Sequence, residues 1–512
     1  MQNKKELPAD LPKQLIESLK DVPGFNEEAF IKIHHSGEQV TSIRYNPAKI
    51  TGGKLDDHVF PSTGKSQPVS FLQPTINDQP TTSANDQPTT INELPPTTND
   101  QPSTTNDQPL PSIVPWCQTG RYLPQRPSFT LDPAFHAGAY YVQEASSMFL
   151  DHVVSTLYAG VEPPQRVLDL CAAPGGKSTL LASRFTESFI VSNEVIKNRV
   201  TILAENVSKW GSSNVAVTHN DPKDFKRLPG YFDLVVIDAP CSGSGLFRKD
   251  PQAVEEWSEA NVAMCSHRQQ RILADILPSL RQNGYLIYST CSYSTKEDED
   301  ICDWIIDDLD VQPVAIPIDS SWGIVEAFSA KHQAPGFRFY PDKLKGEGFF
   351  IACFKQQNPV DEYDDYPAGL VLPSKDEVKL IEPWLKNPES IKLYRQKETI
   401  IAFPLKWEEE FTLVQKNLSV RKSGVAIGTI KGKDLVPHHE FALSHLLNPT
   451  VPFAELDEAQ ALRYLKRQDL QLQTEVKGWA LARYKNLNLG WMKLLGNRIN
   501  NYYPTDWRIL KP

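Results

Sequence analysis

The chain has 512 residues, of which 40% are hydrophobic and 23% are charged. This is the composition of a soluble globular protein with room for roughly two to four domains. Its seven cysteines are dispersed and form no CxxC pair, which argues against a disulfide framework or a zinc ribbon and favours a reducing cytoplasm. The sequence has no signal-type segment and no apolar run of roughly 18–20 residues, so we expect a cytoplasmic protein with neither a membrane span nor a metal ion.

The charge of the chain is uneven. The net charge of −10 argues at first against a nucleic-acid partner. Residues 375–512, however, contain 22 Lys and Arg and 16 Asp and Glu, so they carry +6 while the rest of the chain carries −16. A basic C-terminal region is compatible with polyanion binding at one end, although a solvated surface is the plainer explanation of any single cluster.

The N-terminal part predicts a small helical segment over residues 1–60. Leu11, Leu15, Ile16 and Leu19 have the spacing of one helix face. The next stretch, residues 61–112, differs in kind, because the tetrapeptide NDQP occurs in it four times among threonines and prolines. Such a segment buries too little apolar surface to offset the entropy of ordering, so we interpret it as a disordered insertion without chemistry of its own.

Residues 113–355 alternate apolar strands with helical patterns, which predicts an α/β fold with a mostly parallel, doubly wound sheet. The predicted strands are RVLDL, FIVSNEV, NVAVTH, YFDLVVIDA, GYLIYST, GIVEAF and GEGFFIACF. An acidic, proline-containing linker is predicted over residues 356–378. Residues 379–512 then predict a small separate α+β or barrel-like domain, with strands ETIIAFPL, FTLVQ and VAIGTI and a helix in DEAQALRYLKRQ.

A glycine turn joins the first of these strands to a helix over Val167–Thr179. Gly175 and Gly176 allow backbone N–H groups to approach a ligand at the helix N-terminus. Glu194 closes the next strand 18 positions after Gly176, close to the spacing of about 20 at which an acid meets ribose hydroxyls in dinucleotide folds. Asp221 follows the third strand, where an adenine amine could be recognised. The turn matches neither GxGxxG nor a P-loop, which disfavours a nucleoside triphosphate.

Two cysteines follow two other strand ends, in the phrases DAPCSG and STCS. Cys241 comes after Pro240 and three residues after Asp238, in a context that exposes a thiol, although a buried structural cysteine is the usual role of this residue type. Cys291 precedes Ser294 and Glu297, whose spacing matches a capping box and predicts a helix start. A helix N-terminus stabilises a thiolate, so Cys291 is a candidate nucleophile.

These motifs carry a resemblance. CAAPGGK, DAPCSG and TCS, in this order, resemble the RNA (cytosine-5) methyltransferases of the Sun/Nop family. FRKDP, HAGAYYVQEASSM and FRFYPDKLKGEGFF are similar to the RsmF-type branch that modifies small-subunit ribosomal RNA. The likeness covers residues 113–355, and it makes residues 1–60 the candidate N-terminal RNA-binding segment. Residues 379–512, with GWMKLLGNRINNYYP, resemble the PUA-like RNA-binding appendage of that branch, and the expected fold is a Rossmann-like methyltransferase sheet.

The resemblance implies roles for individual residues. S-adenosylmethionine is the expected methyl donor, and Cys291 is expected to add to C6 of cytosine. Cys241 is expected to assist release, Asp238 to meet the N3/N4 edge of the base, and Lys177 to reach the base or its neighbourhood. The implied cofactor contacts are Cys171, Ala172, Ala173, Pro174, Gly175, Gly176 and Lys177 through the turn, with Glu194, Asp221 and Asp238; Arg199 is expected to orient Glu194. The implied RNA contacts are Arg248 and Lys249 after the Cys241 loop, and Arg421, Lys422, Lys431 and Lys433 in the C-terminal region.

Three alternatives stay open at this point. A transfer-RNA cytosine-5 methyltransferase would have the same catalytic core. A non-catalytic RNA-binding assembly factor would keep the cofactor fold, but it has no physical need for both thiols. A DNA methyltransferase is disfavoured by the TCS cysteine and the acidic body. We expect a monomer, since no coiled coil or large apolar stripe is evident.

Overall fold

The computed structural model describes residues 11–50, 111–361, 363, 369–496 and 498–510. The predicted insertion lies outside these residues except at its last two positions, and so do parts of the predicted linker. Among the described helices, none is long and apolar enough to cross a membrane.

The N-terminal region is a small antiparallel sheet preceded by two helices. Its elements are α1 (Lys13–Leu19), α2 (Glu27–His35), β1 (Thr41–Tyr45), β2 (Ser112–Val114), β3 (Cys117–Leu123), α3 (Pro133–His136) and β4 (Tyr140–Val142). Strand β1 pairs with both β3 and β4 in the order β2-β3-β1-β4. The sequence assigned β1 and the three later strands to different units. The structure joins them because β1 is buried along its whole length and needs a partner on each side.

The central region carries the main sheet. Its elements are α4 (Phe149–Leu157), β5 (Arg166–Asp169), α5 (Gly176–Arg184), β6 (Phe189–Asn193), α6 (Lys197–Trp210), β7 (Val215–Thr218), β8 (Phe232–Asp238), α7 (Pro251–Glu256), α8 (Glu259–Ile276), β9 (Leu280–Thr290), α9 (Glu299–Leu309), β10 (Val311–Pro313), β11 (Val325–Phe328), β12 (Pro335–Phe339) and β13 (Phe349–Gln356). The five strands β5 to β9 are parallel, and β10 to β13 add antiparallel pairs at one side.

The strand order of this sheet places the site. It runs β11-β12-β13-β9-β8-β5-β6-β7-β16, so the chain moves outward from β5 in one direction and then returns to β8 on its other side. That reversal opens a crevice between the carboxyl ends of β5 and β8, where open α/β sheets bind their ligands. The predicted Rossmann-like α/β sheet is therefore confirmed.

The C-terminal region adds two four-stranded sheets and one strand of the central sheet. Its elements are α10 (Lys375–Ile381), β14 (Ile391–Gln396), β15 (Thr399–Pro404), α11 (Glu408–Asn417), β16 (Val420–Ser423), β17 (Val425–Lys431), β18 (Asp434–Pro437), α12 (His439–Leu443), β19 (Phe453–Glu455), α13 (Glu458–Leu465), β20 (Gly478–Tyr484), β21 (Leu487–Leu494) and β22 (Ile499–Asn501). Strand β16 pairs antiparallel with β7, so this region is continuous with the central sheet rather than separate from it.

One predicted strand is wrong. FTLVQ lies inside helix α11, not in a strand. The buried residues Trp407, Phe411, Val414 and Leu418 recur at helical spacing, and this pattern is visible only when the window extends beyond FTLVQ. Three glutamates, Glu408 to Glu410, fill the first turn, where negative side chains favour a helix start.

Candidate active site

Three parallel strands bring the predicted residues to one edge of the sheet. Strand β5 leads into the glycine turn, β8 ends at Asp238 before Cys241, and β9 ends at Thr290 before Cys291. Since β5 pairs with β8 and β8 pairs with β9, their carboxyl ends lie side by side. Segments separated by more than one hundred residues in sequence therefore meet in one crevice.

The glycine turn has the backbone that its sequence requires. Gly175 has φ of 118°, a left-handed conformation that residues with a side chain rarely adopt, and it caps the N-terminus of α5. The Ser178 hydroxyl, on the first turn of α5, donates a hydrogen bond of 2.6 Å to Asp169 at the end of β5. Burial raises the pKa of the Asp169 carboxyl to about 7. The turn is thus anchored from the strand that precedes it, by an acid that the sequence analysis did not single out.

Glu194 and Arg199 are arranged as expected. The Glu194 carboxylate is 3% exposed, accepts a hydrogen bond of 2.9 Å from the Ile196 backbone, and lies 3.4 Å from the Arg199 guanidinium. Arg199 also donates to the Ala173 carbonyl at 2.6 Å, which ties the acid to the glycine turn. Asp221 is further from this arrangement: it caps the short helical turn after β7 and pairs with Arg271 at 3.2 Å.

These residues fit S-adenosylmethionine. The Glu194 Oε2 atom is buried yet accepts no hydrogen bond from any described residue. A buried acceptor without a donor is costly, so a ligand hydroxyl there would be stabilising. The two ribose hydroxyls of S-adenosylmethionine supply such donors. Burial raises the pKa of the Cys171 thiol within the same turn, which is consistent with packing rather than chemistry at that residue.

Lys177 and Asp238 form the polar centre of the crevice. The Lys177 ammonium lies 2.8 Å from the Asp238 carboxylate, and the lysine side chain is 9% exposed while the aspartate is 40% exposed. Ser289, at the end of β9, donates a hydrogen bond of 3.0 Å to the other carboxylate oxygen. Phe349 lies under the ammonium, 5.1 Å from it. The sequence analysis missed Ser289 and Phe349, because both reach the site through strand register.

The two thiols face each other. The Sγ atoms of Cys241 and Cys291 are 3.2 Å apart, which is hydrogen-bond distance for sulfur and far beyond the ~2.05 Å of a disulfide. The hydrogen bond with Cys291 and burial raise the pKa of the Cys241 thiol well above its usual range. Cys241 is therefore held as a neutral S–H donor whose partner is the sulfur of Cys291.

The predicted capping box is not formed. Helix α9 begins at Glu299, and a short 3-10 turn lies between it and Cys291. Glu297 instead points back and accepts hydrogen bonds from the Ser242 backbone at 2.7 Å, the Ser242 hydroxyl at 2.5 Å and the Ser292 hydroxyl at 2.6 Å. Its carboxylate therefore holds the residues that directly follow the two cysteines, so α9 begins too late to act on Cys291 as predicted.

Two of the predicted RNA contacts are buried. The Arg248 side chain is 4% exposed and lies 3.6 Å from Glu347, so it serves the interior rather than a phosphate. The Lys422 side chain is 7% exposed and pairs with Glu440. The prediction that these two bind RNA is contradicted by this burial. Single-sequence reasoning missed it because both partners lie on other segments of the chain.

The remaining predicted RNA contacts are exposed. Lys249 lies beside the Cys241 loop. Arg421 contacts His219 at 3.0 Å, directly after β7 and at the same sheet edge as the crevice. Lys431 and Lys433 flank the turn between β17 and β18. Among the described residues, no group of three or more His, Cys, Asp or Glu side chains is placed to hold a metal ion.

Comparison with known proteins places the chain. Residues 158–355 match the family model described as "16S rRNA methyltransferase RsmB/F". Residues 452–509 match "Methyltransferase RsmF PUA domain", and residues 82–145 match "N-terminal domain of 16S rRNA methyltransferase RsmF". The ribosomal RNA small subunit methyltransferase F of Enterobacter sp. (strain 638) is 30% identical over 412 residues, which cover 77% of this chain and 83% of that relative. The chain belongs to the RsmB/F methyltransferase family.

Other relatives agree with this assignment. The ribosomal RNA small subunit methyltransferase F of Aeromonas salmonicida (strain A449) is 31% identical, with 77% of this chain and 84% of that relative covered. The crystal structure titled PH0851 superposes with a TM-score of 0.51 at 21% identity, covering 69% of this chain and 70% of that one, and supports the fold. As an RsmB/F protein with an intact cofactor turn, the chain is an S-adenosylmethionine-dependent RNA methyltransferase.

Proposed function

We propose that this enzyme transfers a methyl group to C5 of a cytosine in small-subunit ribosomal RNA through a covalent adduct between Cys291 and C6. The observation that carries the proposal is the pair of thiols, 3.2 Å apart and next to the Lys177–Asp238 pair. A protein that only binds RNA gains nothing from two facing thiols at the edge of a cofactor crevice. Covalent activation of a pyrimidine needs a nucleophile at this position.

The raised pKa of the Cys241 thiol supports the division of roles. A neutral Cys241 cannot attack, but its S–H can donate to the Cys291 sulfur and so favour a thiolate there. Cys291 then adds to C6, and C5 gains the electron density to attack a methyl group. S-adenosylmethionine, when bound, supplies that methyl group.

Release needs the C5 proton to leave and the bond from sulfur to C6 to break. Formation of the adduct consumes the Cys291 thiolate, which removes the first cause of the high pKa of the Cys241 thiol. Cys241 can then lose its own proton and help to take the proton from C5. Its predicted role in release follows from this coupling between the two sulfurs.

Asp238 and Lys177 serve the base and the cofactor edge. The Asp238 carboxylate is half-open to the crevice and is oriented by Ser289 and Lys177, so it can meet the N3/N4 edge of a cytosine and stabilise a protonated ring. The target base must first leave its stack, at a cost of about a few kcal/mol. Exposed Lys249 and Arg421 are the basic residues nearest this edge and are candidates to hold the RNA backbone.

The names of the relatives support small-subunit ribosomal RNA as the substrate. The test is methyl transfer from labelled S-adenosylmethionine to unmodified small-subunit RNA, with transfer RNA as the competing substrate and bisulfite sequencing to locate the product. We expect one cytosine in small-subunit RNA to become 5-methylcytosine. Methylation confined to transfer RNA would replace the substrate, and absence of transfer to either RNA would support the binding-only alternative.

A further inference from the structure

A second site lies in the segment that matches the PUA model. The basic residues that the sequence singled out, Arg421 to Lys433, all precede that segment. Within it, a surface cavity of about 640 Å³ lies between the end of α13 and the last strand, β22. This volume falls in the range of ~300–1,000 Å³ that small-ligand sites occupy. Its wall includes Arg467, Gln468, Asn500, Tyr502 and Thr505.

Tyr502 offers an aromatic surface to this cavity. It is 38% exposed, which is unusual for a large ring. Its ring is fixed from one side by Trp479, with the centroids 4.4 Å apart and the planes at 62°. The Lys493 ammonium lies 5.4 Å from the Trp479 ring, on the adjacent strand. A fixed, partly exposed aromatic ring beside a cation is the arrangement on which proteins stack unpaired bases.

Two amide side chains on the cavity wall are uncommitted. Neither Gln468 nor Asn500 forms a side-chain hydrogen bond with another described residue. Their neighbour Asn501, by contrast, bonds with the Tyr464 carbonyl and the Tyr503 backbone. An amide carries both a donor and an acceptor, so it can pair with the edge of any base. Two uncommitted amides beside an exposed ring therefore provide edge contacts and a stacking surface in one cavity.

The charge around the cavity favours an anion. Residues 452–509 contain nine Lys and Arg and six Asp and Glu, in a chain whose net charge is −10. Arg467 is fixed on the cavity wall by the Tyr503 carbonyl and keeps further guanidinium donors for a phosphate. Asp469 is the one carboxylate among the lining residues that the structure describes, and its oxygens can accept from a base amine.

We propose that this cavity binds an unpaired nucleotide of the substrate RNA, with the base on Tyr502, its edge at Gln468 and Asn500, and the phosphate at Arg467. The inference rests on the proposed RNA substrate and adds a second contact to it, away from the reacting cytosine. An unpaired nucleotide is favoured over a duplex because a duplex hides both the face and the edge of each base. A protein partner on the same surface is the competing outcome.

The test measures RNA affinity with the full-length protein by fluorescence anisotropy. The probe is a labelled 12-nucleotide RNA that lacks cytosine and self-complementary stretches, so that the methylation site has no target base to engage. Base stacking on an aromatic residue is worth enough that Tyr502→Leu should weaken binding about tenfold. Tyr502→Phe keeps the ring and should stay within about twofold of the wild type. Gln468→Ala should weaken binding severalfold, whereas Gln473→Ala, an exposed glutamine outside the cavity, should not.

Competition with a duplex of the same length separates the possible occupants. We expect the wild type to prefer the single strand, and Tyr502→Leu to lose most of that preference. The proposal is overturned if Tyr502→Leu and Gln468→Ala keep wild-type affinity while melting at the wild-type temperature, which is the result that a protein-binding surface would give. Equal weakening for single strand and duplex would also overturn it. Methyl transfer by the same wild-type preparation distinguishes a failure of this site from a failure of the proposed function.

Discussion

At the active site, a single buried carboxylate holds both thiol-bearing segments in place. Glu297 accepts hydrogen bonds from Ser242, which follows Cys241, and from Ser292, which follows Cys291. Gln269 on α8 adds a longer contact of 3.4 Å from the other side. Burial raises the pKa of the Glu297 carboxyl, and these donors oppose that rise by stabilising the charge. The distance between the two sulfurs thus depends on a residue that touches neither.

Glu297→Gln should reduce kcat while leaving the KM for S-adenosylmethionine close to that of the wild type. The amide replaces an acceptor by a donor that faces hydroxyl and backbone donors, so the segments lose their common partner. A hydrogen bond to a charged group contributes about 1.5–3 kcal/mol, which corresponds to a fall in kcat of about tenfold or more. Steady-state kinetics with each substrate varied in turn checks the prediction.

The matched control is Glu326→Gln, an exposed glutamate on β11. It should keep the kinetic constants of the wild type. An unchanged kcat in Glu297→Gln, or a rise in KM alone, would show that the thiols are held by something else.

At the scale of elements, the N-terminal sheet braces the cofactor turn. Arg44 on β1 is 1% exposed, and its guanidinium donates to the Gly176 carbonyl at 3.2 Å and the Thr179 hydroxyl at 2.6 Å. Both acceptors are in the first turn of α5, directly after the glycine turn. Gln143 and the Trp210 ring fix the arginine from its other sides, at 2.8 Å and 4.6 Å. A strand from one region therefore sets the position of the binding loop of another.

Arg44→Gln should weaken S-adenosylmethionine binding about tenfold, because the first turn of α5 loses two charge-assisted donors. Isothermal titration calorimetry measures this directly. Arg126→Gln, an exposed arginine after the same small sheet, is the control and should bind as the wild type. Wild-type affinity in Arg44→Gln would mean that the turn is positioned by the central region alone.

At the scale of the whole molecule, the C-terminal region completes the core of the central sheet. Phe411 on α11 packs against Phe189 of β6 with ring centroids 4.8 Å apart, and Trp407 lies 6.2 Å from the same ring. Strand β16 covers the edge of β7 that would otherwise expose unpaired backbone groups. Removing this region therefore removes structure from the methyltransferase sheet itself.

A chain that ends at residue 378 should be insoluble or melt far below the full-length protein. Each lost aromatic contact is worth about 1.5–3 kcal/mol of burial, and the newly exposed edge favours aggregation. Soluble yield and thermal melting of the two chains check this. If the shorter chain melted at the full-length temperature, the C-terminal region would be an independent appendage.

The sequence predicted the parts of this architecture that are local. Strand ends, the glycine turn and the order of the cysteine motifs are visible in short windows, and the topology of a parallel sheet then brings them together. The Lys177–Asp238 pair and the facing thiols follow from that reasoning. The burial of Arg248 and Lys422 does not, because Glu347 and Glu440 reach them from distant segments. Glu297 was noticed for its spacing, but its partners lie across the crevice.

The measurement closest to the central claim is the trapping of the covalent complex between enzyme and RNA. Wild type, Cys291→Ala and Cys241→Ala are each incubated with unmodified small-subunit RNA and S-adenosylmethionine, and the adduct is resolved on a denaturing gel. We predict that Cys241→Ala accumulates a persistent adduct, because attack is intact and release is impaired, whereas Cys291→Ala forms none. An adduct in Cys291→Ala together with none in Cys241→Ala would contradict the account and reverse the roles of the two thiols.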